Sequence, residues 1–169
     1  MKDRAERGDD LDTALVILTA GRSSRMGEPK ALLRFGKWTA LESAVQNAIE
    51  AKVNRGVTVV GHRNEEIRAA HSFSGMPLNF QWVPNLDSGS PMLVSLQTAL
   101  QSLVSTQIDA FFFQPIDVPL LCADDFLELA AAFRIREPGE SVLVAAHGTQ
   151  GGHNCLFFTS PSPRDAALS

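Results

Sequence analysis

Gly21 and Gly27 bracket Arg22-Ser23-Ser24-Arg25-Met26, and Lys30 follows shortly after. This is the composition of an anion cradle. Backbone N–H groups in a Gly/Ser-rich turn can converge on phosphate oxygens, Arg25 can grip them bidentately, and Lys30 can add a point charge. The two commoner phosphate loops do not fit. A Walker A loop needs four residues between its glycines and then Lys-Ser/Thr, and a dinucleotide fingerprint needs G-x-G-x-x-G. Here five residues separate the glycines and Glu28-Pro29-Lys30 comes next. A second group with chemistry to offer is Asp117, locked between Pro115 and Pro119. A carboxylate there suits a hard cation, because Mg²⁺ binds through one or two carboxylates plus substrate phosphates. The plainer alternative is an aspartate that only caps the neighbouring helix, although Asp124 and Asp125 are better placed for that.

These groups need a frame. Ala14-Leu15-Val16-Ile17-Leu18 is a short, β-branched apolar run that reads as a buried strand, so the glycine loop leaves the carboxyl end of a strand. Thr39-Ala40-Leu41-Glu42 is a capping box announcing a helix whose Leu41, Ala44, Val45, Ala48 and Ile49 share one face. Val57–Gly61 is a second strand. Asn64 is the expected cap of a short helix over Glu65–His71, and Asn79–Val83 alternates as a third strand. Pro91 opens a helix with Leu93, Leu96, Leu100 and Leu103 near one face. Asp109–Gln114, the most aromatic run, is a central strand that delivers Asp117 to the same edge as the glycine loop. Phe126, Leu129, Ala130 and Phe133 line the buried face of the next helix. Ser141–Ala146 is a further strand, and after it His147 to Asn154 holds a glycine-dense turn ending in His153, followed by Cys155-Leu156-Phe157-Phe158. Strands alternating with helices imply βαβ crossovers and an α/β fold with a mainly parallel sheet covered on both faces.

Composition bounds the ligand. At 169 residues, 44% hydrophobic and 20% charged, the chain is one globular domain's worth. A formal charge of -4 argues against a general nucleic-acid binder, whereas a local basic loop in an acidic protein points to a small anionic ligand. Cys122 and Cys155 have no metal spacing and no disulfide-dense context, and a reduced cytoplasm is the simplest setting. The polar stretch 1–12 has no signal-peptide core, and no run is long and apolar enough to span a membrane. His62, His71 and His147 show no metal-ligand spacing.

Leu18 to Leu33, LTAGRSSRMGEPKALL, resembles the nucleotide-binding signature of the MobA-like NTP transferases, L-[AT]-[AG]-G-x-S-x-R-M-G-x-x-K-x-L. Within that family it is most similar to the branch that joins CTP to molybdopterin. The resemblance implies a three-layer, Rossmann-like nucleotidyltransferase fold in which Thr19, Ala20, Gly21, Ser23, Ser24, Arg25, Gly27 and Lys30 bind the nucleotide. The family's N-x-x-x-x-G and following Ser-Leu step match Asn85, Gly89, Ser95 and Leu96, which implies that these too hold the nucleotide. Ser90-Pro91 departs from the pattern, and Ser95 read without the resemblance is a helix-face hydroxyl. The strand-end motif [PV]-x-D-x-P-L implies that Asp117 is the Mg²⁺ ligand. Gly152-His153 resembles a G-H-P loop that faces the pterin-bearing substrate, with Asn154 in place of the proline; a lone His in such a place is otherwise a turn residue.

The implied reaction is nucleotidyl transfer: a phosphate of molybdopterin attacks the α-phosphorus of CTP, and pyrophosphate leaves. Arg25, Lys30 and Asp117 would carry the catalysis, mostly through position and charge compensation. CTP is favoured because guanylyl relatives tend to have a second glycine where Ala20 stands. The resemblance further implies hand-over to a molybdoenzyme or its chaperone. It covers about Leu15 to Phe158. Relatives continue to an Asp-x-Asp-T-P-E-D segment with a second metal carboxylate, whereas Thr159 to Ser169 is a Pro/Ser tail. The expectation is therefore a domain over 13–158, truncated at its carboxyl end, between flexible tails 1–12 and 159–169. Two rivals stay open: the same fold acting with another NTP or on another phosphorylated acceptor, such as a sugar phosphate, and a non-catalytic relative that binds nucleotide without turnover.

Overall fold

Ala14 to Leu18 offers water no polar side chain on either face, and the chain buries all of Thr13–Leu18 as strand β1, with helices packed against one side and, among the described residues, a single helix against the other. The computed structural model describes residues 11–20, 27–61, 63–85, 91–106, 108–117, 121–135, 142–147 and 150–159. After β1 come a 3₁₀ turn (Lys30–Leu32) and a small hairpin of β2 (Arg34–Phe35) and β3 (Trp38–Thr39). The remaining elements are α1 (Ala40–Glu50), β4 (Arg55–Val60), α2 (Asn64–Ala70), β5 (Asn79–Pro84), α3 (Met92–Leu103), β6 (Ala110–Pro115), α4 (Ala123–Arg134), β7 (Val142–His147) and β8 (Gln150–Thr159).

Successive side chains of a strand point to opposite faces, and β1 sorts the core by that rule. Leu15 and Ile17 join Leu41 and Val45 of α1, Ile67 of α2 and Phe126 of α4 on one side. Ala14 and Val16 join Ala99 and Leu103 of α3 on the other. Phe112 meets Phe126 edge-on at 5.0 Å between ring centroids, while Phe111 and Phe113 face α3. The result is three layers. No helix among the described residues is long and apolar enough to cross a membrane.

The main sheet has the order β5-β4-β1-β6-β8-β7. β5, β4, β1 and β6 are mutually parallel, and β8 is antiparallel to both β6 and β7. From β1 the chain steps outward to β4 and β5, then returns through α3 to place β6 on β1's other side. In an open α/β sheet that reversal leaves a crevice outside the carboxyl ends of the two strands where it occurs, here β1 and β6.

The capping box forms as the sequence predicts: Thr39 Oγ1 accepts from Glu42 N–H at 3.1 Å, and the Glu42 carboxylate accepts from Thr39 N–H at 2.8 Å. Four expectations need correction. The cap of α2 is Arg63 in a left-handed conformation (φ 65°), and Asn64 is already helical. Leu93 is 61% exposed, because α3 buries Ser95, Ala99 and Leu103 instead. Gly152 and His153 lie within β8 and not in a turn before it. Leu11 and Asp12 are packed: Leu11 lies against the core, and Asp12 exchanges main-chain and side-chain bonds with Asp109 and approaches Arg55 at 3.5 Å. Residues 1–10 and 160–169 lie outside the described residues.

Candidate active site

Leu18 of β1 is in register with Pro115 of β6, so Thr19-Ala20 and Ile116-Asp117 leave neighbouring strands side by side. Thr19 is committed to the frame. Its N–H and its hydroxyl both donate to Val59 O, each at 2.9 Å, which fastens the start of the glycine loop to β4. Ala20 then passes so close to Gly61 that a Cβ there would stand 3.0 Å from Ala20 O and 3.1 Å from its Cα and Cβ. Only a residue without a side chain allows this approach without displacement.

Beyond the loop, Pro29 and Ala31 are buried and Lys30 sits between them at the first position of the 3₁₀ turn. Its ammonium reaches Asp117 Oδ2 at 3.2 Å, across a separation of 87 residues in the chain. The side chains are 36% and 55% exposed respectively, so the pair contributes little to stability, about 0–1 kcal/mol. Its significance lies in placement: a cation from the loop after β1 and a carboxylate from the loop after β6 converge on the crevice. Asn47 of α1 steadies the second loop by donating its side-chain amide to Leu121 O.

The donor set here is hard. Among the described residues no three His, Cys, Asp or Glu side chains gather as a metal cage. A half-exposed aspartate fits a divalent cation such as Mg²⁺ that takes one protein carboxylate and completes its shell with substrate oxygens and water. It does not resemble a closed zinc site of nitrogen and sulfur ligands.

Asn85 and Ser95 are brought together and buried, with Asn85 Nδ2 donating to Ser95 Oγ at 2.9 Å and Asn85 N–H to Val60 O at 2.7 Å. They join the end of β5 to α3. Gly152 and His153 approach the same edge along β8. Its antiparallel register, Ala110 with Thr159 through Phe113 with Leu156, runs the start of β8 towards the carboxyl end of β6. Gly27 has φ +70° and is exposed. Gly21, Ser23, Ser24, Arg25 and Gly89 lie outside the described residues.

One contributor escapes the sequence reading. Arg63 Nη1 donates to Gly27 O at 2.7 Å, while Nε and Nη2 form a fork with the Glu66 carboxylate at 2.6 and 2.7 Å. The one local signal is the Arg-x-x-Glu spacing at the start of α2, a common surface pairing that gives no hint of Gly27.

Comparison with known proteins shows where the chain belongs. The chain is 27% identical over 141 residues to the molybdenum cofactor cytidylyltransferase of Escherichia coli, covering 83% of this chain and 67% of that one. It is 36% identical over 132 residues to a probable molybdenum cofactor guanylyltransferase of Rhodopirellula baltica, covering 76% and 58%. The chain thus spans about three fifths to two thirds of these relatives. In fold it is similar to Rv0371c of Mycobacterium tuberculosis (TM-score 0.70, 23% identity, 88% and 72% covered) and to the same protein in complex with manganese (TM-score 0.66, 21% identity, 88% and 71% covered). The model of the MobA-like NTP transferase domain matches residues 15–169, nearly the whole chain, and the chain belongs to that family.

Proposed function

We propose that the protein transfers CMP from CTP to molybdopterin with release of pyrophosphate, in a magnesium-dependent reaction at the β1/β6 crevice. The observation that carries the proposal is the approach of Lys30 to Asp117 at the carboxyl ends of adjacent strands. In the reaction a terminal phosphate oxygen of the acceptor forms a bond to the α-phosphorus of CTP. The bond from that phosphorus to the bridging oxygen breaks, and the electron pair leaves with pyrophosphate. No side-chain nucleophile is needed, so the protein's work is to position and to offset charge.

The Gly21–Gly27 backbone and Arg25 hold the triphosphate, with Ser23 and Ser24 adding hydroxyl donors. Lys30 offsets negative charge near the α-phosphate. Asp117 supplies the carboxylate for the cation, which when bound polarises the phosphoryl oxygens and neutralises the leaving group. The manganese complex of Rv0371c supports a divalent metal within this fold. Thr19 and the Asn85–Ser95 pair act from behind, holding the loops that border the nucleotide. Gly152-His153, on β8 beyond Asp117's strand, stands on the acceptor side.

GTP is the second reading, favoured by the higher identity to the R. baltica guanylyltransferase. Purified protein assayed with each of the four NTPs, Mg²⁺ and molybdopterin, followed for pyrophosphate, decides between them. CTP is expected to be turned over best. Preference for GTP overturns the choice of base, and pyrophosphate release with none of them overturns the reaction.

A further inference from the structure

We infer that Arg63 is a positioning residue for the nucleotide, pinning the exit of the glycine loop to the start of α2; the inference rests on the nucleotide-binding role proposed above. The residue is a poor local choice. It occupies a helix cap where Ser, Thr, Asp or Asn would accept a first-turn N–H, and it makes no such bond. Its left-handed backbone (φ 65°, ψ 25°) is one that glycine or asparagine adopts far more cheaply. Both features disfavour arginine on local grounds, so its value lies in the head group.

That head group is fully specified. Glu66 holds the guanidinium in plane through two bonds, leaving Nη1 to donate to Gly27 O, 36 residues away in the chain. Gly27 itself has φ +70°, a left-handed conformation that glycine adopts without steric cost. The two described ends of the loop are therefore tied to one unit. Thr19 is fastened to Val59 of β4, and Gly27 is fastened to Arg63 at the head of the next helix. Fixing both ends beforehand lowers the ordering cost that ligand binding has to meet.

The test compares wild-type protein with R63A, R63K and E66Q in three measurements: titration with MgCTP and MgGTP, steady-state kinetics, and hydrogen exchange over residues 27–32 without nucleotide. R63A is expected to weaken nucleotide affinity and raise KM about 5- to 30-fold, the factor for ordering one backbone residue during binding instead of before it. Its kcat is expected to stay within about threefold, because the Arg63 guanidinium is engaged by Glu66 and Gly27 O and acts through the loop's position. Exchange at 27–32 is expected to quicken. R63K and E66Q, which lose the fork but keep a donor, are expected to fall between wild type and R63A, and E66Q serves alone if R63A does not fold. A wild-type protein that binds nucleotide while R63A binds it equally well overturns this inference alone, as does a loss confined to kcat. Wild-type protein that binds neither nucleotide overturns the nucleotide reading, and this inference with it.

Discussion

Asp117→Asn separates function from stability more cleanly than other changes at the crevice. The substitution keeps the shape and an oxygen acceptor for Lys30 but removes the charge. With the pair 36% and 55% exposed, the ionic contribution lost is about 0–1 kcal/mol. In a chain of this size about 1 kcal/mol moves the melting temperature by roughly 2–4 °C, so the shift should stay below about 4 °C and shrink further in high salt. Turnover should behave otherwise. If Asp117 is the protein's ligand to the cation, its loss should cost at least about 100-fold, the scale for removing one preorganised group that offsets transition-state charge. Thermal melts and pyrophosphate release on the same preparation read both quantities. D117N retaining turnover within about threefold of wild type would refute the metal role. A fall in melting temperature well beyond about 4 °C would show that the pair holds the fold together, contrary to its exposure.

Two more substitutions probe the frame. Thr39 Oγ1 accepts from Glu42 N–H and also lies 2.8 Å from His71 Nε2, whose other ring nitrogen is 2.6 Å from Ile67 O. Thr39→Ala should cost about 2–4 kcal/mol, the sum of a lost cap and a buried ring nitrogen deprived of its hydroxyl, read as a lower urea midpoint at unchanged slope; Thr39→Ser should recover most of it. A cost below about 0.5 kcal/mol would contradict the network. Gly61→Val should destabilise by about 1–3 kcal/mol through overpacking against Ala20 and should weaken nucleotide binding, with Gly61→Ala milder in both. Unchanged nucleotide titrations in G61V would detach this contact from the binding loop.

Much of the frame could be read because its causes are local. The Thr39–Glu42 box closes within one helical turn, and the run Ala14–Leu18 declares a strand buried on both faces by lacking polar side chains. Leu93 belongs to the leucine stripe of α3 by spacing, yet that stripe is not centred on the sheet. α3 turns its smaller residues, Ser95 and Ala99, to the sheet and leaves Leu93 outside. Asn64 was the natural cap by type, yet the position went to Arg63, whose reason for being there is a carbonyl 36 residues earlier. The glycine-dense stretch reads as a turn ending in His153, but β8 is already under way at Gln150. At the site, Lys30 and Asp117 could each be picked out by type and neighbours. Their contact could not, since it depends on β1 and β6 lying next to each other.

That adjacency has a consequence for synthesis. Asp12 and Asp109, joined at the foot of β1 and β6, are 97 residues apart, and closing a loop of that length costs about 4 kcal/mol in chain entropy before any contact rewards it. β1 leaves the ribosome before β6 and gains its second partner only when β6 has followed it out. Until then one wall of the crevice is missing. A nascent chain that carries the whole glycine loop, but stops short of Asp117, should therefore be unable to retain nucleotide.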